Sequence, residues 1–182
     1  MGEQGVAYHF VCTHEEARYL IENQRFFWVS NCGCRERTGN CNESRVDVCL
    51  LFRDDVSSSG SGMRAITKSD AIALLQEATA SNLVTRPFYN DKDRRKSDGI
   101  CFCCKDCCEY FTQPDIPCDK GRYIEETDLI ICDRCGICVD FCYFGARRMG
   151  KKDMMLIEKG LCFGCGLCVD ACPQGCISLA LR

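Results

Sequence analysis

Two segments in the first half of the chain carry apolar residues at helical spacing. Thr13-His14-Glu15-Glu16 forms a capping box, in which Thr13 and Glu16 satisfy each other's backbone N–H groups. The helix it starts is predicted to run to about Asn23, with Ala17, Leu20 and Ile21 on its inner face. Thr67 caps a second predicted helix, roughly Lys68 to Ala80, whose Ala71, Ile72, Leu74, Leu75 and Ala78 make an apolar stripe. Phe26-Phe27-Trp28-Val29-Ser30 suits a strand, its aromatic residues contributing to the core. Ser57 to Gly62 and the polar run Asn90 to Gly99 read as exposed loops. These elements predict a small α+β domain over residues 1–122. In the last third, Tyr123-Ile124-Glu125-Glu126 and the alternating Ile177-Ser178-Leu179-Ala180-Leu181 are expected to pair as strands. Met155-Leu156-Ile157-Glu158 is expected to form a central hairpin with a strand leading out of Phe144-Gly145-Ala146, with Met154 and Met155 packing inside it.

Between those strands the chain writes Cys-x-x-Cys-x-x-Cys-x-x-x-Cys twice. The first copy is Cys132, Cys135, Cys138 and Cys142; the second is Cys162, Cys165, Cys168 and Cys172, followed by Pro173. Three thiols at i, i+3 and i+6 let one loop wrap an iron–sulfur cube, and the fourth projects from the turn that follows, toward the other cluster. This spacing predicts two [4Fe–4S] clusters. Cluster I takes Cys132, Cys135, Cys138 and Cys172, and cluster II takes Cys162, Cys165, Cys168 and Cys142. Gly136 and Gly166 are expected at positive φ, where a Cβ would obstruct the approach of backbone to sulfide. Cys176, one turn beyond Cys172, reads as a small buried hydrophobe, with a ligand role as the alternative. Arg147, Arg148, Lys151 and Lys152 between the motifs read as a solvated hairpin tip, with a docking patch for an acidic partner as the alternative.

Residues 123–182 resemble a two-[4Fe–4S] bacterial-type ferredoxin. The resemblance implies a (βαβ)2 module in which each motif and its hairpin strand form one half. It departs at Tyr143, where that family has proline after the fourth cysteine; Pro173 keeps it in the second half. Little apolar core is available here, so bound clusters must supply much of the folding free energy.

A second set of thiols lies in residues 1–122: Cys32, Cys34, Cys41, Cys49, Cys101, Cys103, Cys104, Cys107 and Cys108. Two blocks separated by about fifty residues imply that the fold brings them together. One further cubane needs four thiols, two need eight, and a structural Zn²⁺ needs four. A further iron–sulfur cluster leads this reading, with zinc, a redox dithiol and reduced structural thiols as alternatives. Cys32-Gly33-Cys34-Arg35, Val48-Cys49-Leu50 and Ile100-Cys101-Phe102-Cys103-Cys104 give the chain a layout similar to proteins of anaerobes that place a Cys-rich domain before a two-cluster ferredoxin. That similarity implies iron–sulfur chemistry and no particular reaction. Arg35 is a candidate hydrogen-bond donor to cluster sulfur, against a surface ion pair. His9 and His14 read as non-ligands, His14 exposed in the first helical turn.

Composition narrows the rest. Twenty cysteines in 182 residues mean a secreted disulfide scaffold or a metal-rich intracellular protein. The N-terminal residues lack a signal-like basic and apolar run, so a reducing cytoplasm with little oxygen is expected. A formal charge of −3 gives no nucleic-acid footprint. No apolar run approaches the roughly 18 residues of a membrane span. No dinucleotide fingerprint, P-loop or hydrolytic triad is present, so no catalytic residue is assigned. The leading expectation is an electron-transfer protein or subunit relaying single low-potential electrons to or from a redox partner protein. A reductase with a catalytic cluster among the first 122 residues is the second reading, and an iron–sulfur redox sensor the third.

Overall fold

Helix starts follow the local sequence closely. Thr13 Oγ1 accepts the Glu16 N–H at 3.1 Å while the Glu16 carboxylate accepts the Thr13 N–H at 3.0 Å. Thr67 and Asp70 make the same reciprocal pair at 3.1 and 2.9 Å. The helices are α1 (His14–Glu22), α2 (Gly33–Thr38), α3 (Lys68–Ala80) and the single turn α4 (Glu109–Thr112). The structure is a computed structural model and describes residues 6–39, 41–54, 61–113 and 116–182. Most of the expected Ser57–Gly62 loop lies outside the described residues.

Seven strands, β1 (His9–Phe10), β2 (Trp28–Ser30), β3 (Cys49–Leu51), β4 (Arg64–Ala65), β5 (Val84–Tyr89), β6 (Ser97–Cys103) and β7 (Cys118–Asp119), form one sheet in the order β4-β2-β3-β6-β5-β1-β7. All pairings are antiparallel except β1 with β7. Side chains alternate along a strand, and this sheet uses the alternation to separate two chemistries. Ile100 and Phe102 of β6 join Val29, Leu50, Phe27 and the buried stripes of α1 and α3 in one apolar core. Cys101 and Cys103, the intervening residues, belong to a different cluster on the opposite face. Ala17, Ile21, Ala71, Leu74, Leu75 and Ala78 are all buried in the first core, and each large aliphatic side chain contributes about 1.5–3 kcal/mol.

Three sequence expectations change here. The Asn90–Gly99 loop ends at Lys96, because Ser97 already begins β6 opposite Tyr89. Phe26 is half exposed, while Phe27 enters the core. His14 is not an exposed first-turn residue: its side chain is 12% exposed, with Nε2 2.9 Å from the Leu83 carbonyl oxygen and Nδ1 3.6 Å from the Asp170 carboxylate.

Residues 123–182 build a smaller unit of two ribbons. β8 (Tyr123–Thr127) pairs antiparallel with β11 (Ile177–Leu181), and β9 (Arg147–Met149) with β10 (Met155–Ile157), as the alternation predicted. Two short helical turns, α5 (Ile137–Asp140) and α6 (Leu167–Asp170), follow the cysteine loops. Met155 packs inside, whereas Met154 is exposed at the hairpin. The unit is joined to the large sheet by the Gly121 N–H donating to the Phe163 carbonyl at 2.9 Å. An aromatic cluster of Tyr110, Phe111, Tyr143, Phe144 and Phe163 fills the junction. Among the described residues no helix is long and apolar enough to cross a membrane.

Candidate metal centres

Each Cys-x-x-Cys-x-x-Cys loop closes on the turn that begins at its glycine. Gly136 has φ +80° and Gly166 φ +85°, the left-handed conformation that a Cβ would strain. The chain crosses between the two loops. Cys132, Cys135 and Cys138 line one cavity with Cys172 and Cys176. Cys162, Cys165 and Cys168 line another with Cys142. Each cavity thus has three thiols from one loop and the fourth thiol of the other run, with Cys176 added in the first. In the second cavity burial raises Cys165 to about 12 and Cys168 to about 11, against a lowering contribution from Arg147 at Cys168. Cys165 and Cys168 are therefore protonated at neutral pH when no metal is bound. A group with four thiolate sites would bind by displacing those protons.

Arg147 is not part of a solvated tip. Its guanidinium is buried and paired with the equally buried Glu125 carboxylate, and Nη2 donates to Thr127 Oγ1 at 2.6 Å. Nη1 also donates to Cys138 Sγ at 3.5 Å, and Arg147 lines the Cys142 cavity as well. One neutralised cation therefore stands between both thiol sets. Arg148, Lys151 and Lys152 are exposed, as expected. Cys176 is buried as expected, yet its Sγ lies 3.4 Å from Cys172 Sγ, so it forms a fifth thiol of that cavity.

The second face of the large sheet carries the other thiols. Cys101 and Cys103 project from β6, with Cys49 beside Cys101 from β3. Cys32 and Cys34 flank the first turn of α2, and Cys104, Cys107 and Cys108 come from the loop into α4. Cys32, Cys34, Cys101, Cys103, Cys104, Cys107 and Cys108 line one cavity of about 140 Å³, together with His9, Arg35, Arg86 and Tyr110. Cys41, Cys104 and Cys107 place their sulfurs within 4.8 Å of one another, with Cys41 and Cys104 3.5 Å apart and Cys104 and Cys107 3.2 Å apart. Seven of the nine expected thiols thus share one cavity; Cys41 joins them through Cys104 and Cys107, and Cys49 through Cys101.

Two buried guanidiniums set its electrostatics. Arg35, read from sequence as a donor or a surface ion pair, is only 3% exposed and makes no carboxylate pair among the described residues. It donates to the carbonyls of Arg45 and Phe102 at 3.1 and 3.0 Å and hydrogen-bonds Cys41 and Cys104. Arg86, also 3% exposed, donates from Nη1 to Cys108 Sγ at 3.4 Å and Cys103 Sγ at 3.7 Å. Nε of both arginines is buried without a partner. Hydrogen bonding from Cys108, opposed by burial and aided by Arg86, lowers Cys103 to about 7. Burial would raise Cys41, but the Glu43 N–H and its bonds with Arg35, Cys107 and Cys104 bring it to about 7. Burial and then Arg86 depress His9 to about 4, so its imidazole is neutral; Nε2 lies 3.6 Å from Cys101 Sγ.

Sequence reasoning missed Cys118, whose thiol hydrogen-bonds Arg86 from β7. It missed Arg86 too, although a lone charge inside Val84-Thr85-Arg86-Pro87-Phe88 signals a buried cation awaiting an anion. The donor set fits an iron–sulfur group on two observations: thiols outnumber every other donor, and the cavity is also lined by Arg35 and Arg86, each with a buried Nε that has no partner.

A family model described as the 4Fe-4S dicluster domain matches residues 131–177. No curated protein and no solved structure matches the chain. The C-terminal part of the chain is a ferredoxin-type 4Fe–4S domain, and its thiol-rich cavities suit iron–sulfur electron transfer.

Proposed function

We propose that the protein is an electron carrier or electron-transfer subunit whose residues 123–182 hold two [4Fe–4S] clusters. Cys132, Cys135, Cys138 and Cys172 ligate cluster I; Cys142, Cys162, Cys165 and Cys168 ligate cluster II. Residues 1–122 form a separate functional domain, whose thiols hold at least one further iron–sulfur cluster. The observation that carries this reading is the crossover: each cavity is lined by three thiols of one loop and the fourth thiol of the other. Such clusters, when bound, exchange single electrons at low potential.

The chain's own residues prepare that exchange. Gly136 and Gly166 keep the loops close to the cavity. Arg147 holds both thiol sets through Cys138 and the Cys142 cavity while Glu125 cancels its charge, keeping both sites electronegative and low in potential. Cys135 is the exposed thiol of its set and faces the solvent from which a redox partner protein would approach. A cytoplasmic, oxygen-poor setting follows from the need to keep so many thiols reduced.

One observation supports the reductase reading. The N-terminal cavity of about 140 Å³ is lined by His9 and Arg86 in addition to thiols, groups able to orient an anionic small substrate. Zinc fits less well, because among the described residues the sulfurs that reach the mutual distances of a single-ion site are three, those of Cys41, Cys104 and Cys107. Anaerobic iron and sulfide analysis tests the proposal. About twelve or more Fe per chain is expected, and about eight would confine iron to residues 123–182. Protein prepared without air and free of iron would end the electron-transfer reading.

A further inference from the structure

The two regions hold their buried cations differently, and the difference has an electrical consequence. Arg147, beside the C-terminal thiols, is neutralised by Glu125. Arg35 and Arg86, beside the N-terminal thiols, make no ion pair with a carboxylate among the described residues, and Glu109, which lines the same cavity, is paired with Arg37 instead. Two whole positive charges therefore act on the N-terminal site in a low-dielectric interior, where charge is poorly screened. A nearby cation and N–H···S hydrogen bonds both favour the more negative, reduced state of an iron–sulfur group.

The junction supplies a route. Tyr110 lines the N-terminal cavity and lies with its ring centroid 4.0 Å from the Arg86 guanidinium. Its ring also meets Phe144 at 6.1 Å and Phe163 at 6.2 Å, and those two stack at 4.3 Å in the wall of the Cys142 cavity. Cys103, Cys108, Tyr110, Phe144, Phe163 and Cys165 belong to one continuous apolar cluster. The Cys132 set belongs to another, which it shares with Cys168 of the second cavity. The order in space is Cys132 cavity, Cys142 cavity, aromatic bridge, N-terminal cavity.

From this we infer that the N-terminal thiol site is the electron sink of the molecule, held at higher potential than both C-terminal clusters by Arg86 and Arg35. The inference rests on the proposed third centre. One electron from an external low-potential one-electron donor enters at the exposed Cys135 end and passes through the Cys142 site and across Tyr110, Phe144 and Phe163. The donor is oxidised by one electron and the N-terminal centre is reduced by one; no bond is made or broken.

Anaerobic redox titration of the full chain with dithionite, followed by electron paramagnetic resonance, tests it. In the native protein, the signal outside the two ferredoxin-type clusters should be the first reduced. In Arg86→Gln, the equilibrium constant for electron transfer into that centre should fall at least about tenfold, which is about 59 mV for a one-electron couple. The other two signals should stay in place. Arg86→Lys keeps the charge and should recover most of the shift, which a merely structural role would not do. Arg35→Gln provides an independent variant if Arg86→Gln does not fold. The inference is overturned if the third signal is reduced after the other two, or if removing either charge moves no midpoint. A preparation with about eight Fe and two signals would instead sink the third centre itself, a different failure.

Discussion

The two regions solve opposite folding problems with the same residue type. The large sheet owns a conventional apolar core: Ile21, Leu50, Leu75, Leu83 and Ile100 are almost completely buried, Cys104 and Cys107 sit at the edge of that core, and Cys101, Cys103 and Cys108 belong to the cluster on the other side. The C-terminal unit has no such reserve. Its own buried cluster consists of Cys138, Cys176 and Ile177, backed by further cysteines, Met155 and Val169. In the first region thiols are added to a fold; in the second they make up most of the core.

Chelation is the strongest way to break that comparison. Anaerobic removal of iron should abolish amide exchange protection in β8, β9, β10 and β11, while β3, β5 and β6 stay protected. Equal loss in both regions, read by hydrogen exchange and mass spectrometry, would show that the sheet also depends on metal. Proton competition comes next. Cys165 and Cys168 are pushed up to about 12 and 11 by burial, so they carry protons that binding must release. Apparent iron affinity of the C-terminal unit should therefore rise with pH between about 6 and 9, by roughly tenfold per pH unit for each proton displaced. Reconstitution followed at fixed free iron measures this, and a flat profile would contradict the assigned burial.

Arg147→Ala sharpens the contrast between neutralised and free cations. It leaves the Glu125 carboxylate buried without its cation, held only by the Thr127 hydroxyl, which should cost about 3–5 kcal/mol in the iron-loaded protein. Denaturant titration gives the loss, and the paired replacement Glu125→Leu with Arg147→Leu should recover much of it. The smallest effect belongs to the metal-independent side. Thr67→Ala removes the cap of α3 and should cost about 1 kcal/mol without changing iron content. A change in iron stoichiometry in that variant would mean that the sheet and its thiol face are coupled more tightly than the two-face arrangement implies.

What could be read from sequence was local. Capping boxes at Thr13 and Thr67, the pairing of Tyr123–Thr127 with Ile177–Leu181, and the hairpin ending in Met155–Ile157 were legible because each depends on neighbours or on period-two alternation. The same alternation, applied to Ile100-Cys101-Phe102-Cys103, would have placed Cys101 and Cys103 on one face opposite the core. His14 could not be read that way. Its burial comes from Leu83 and Asp170, far away in the chain, so helical position alone left it exposed.

Sequence by itself determined which sulfurs stand in ligand-like runs and where glycine must leave them room, because spacing along a short loop is a covalent property. Only the tertiary structure decided which thiols share a cavity, that Arg147 has Glu125 while Arg35 and Arg86 have no such counterion among the described residues, and that Cys118 joins Arg86. Burial and charge pairing are set by residues distant in the chain, and no pattern of neighbours along it encodes the field that they create together.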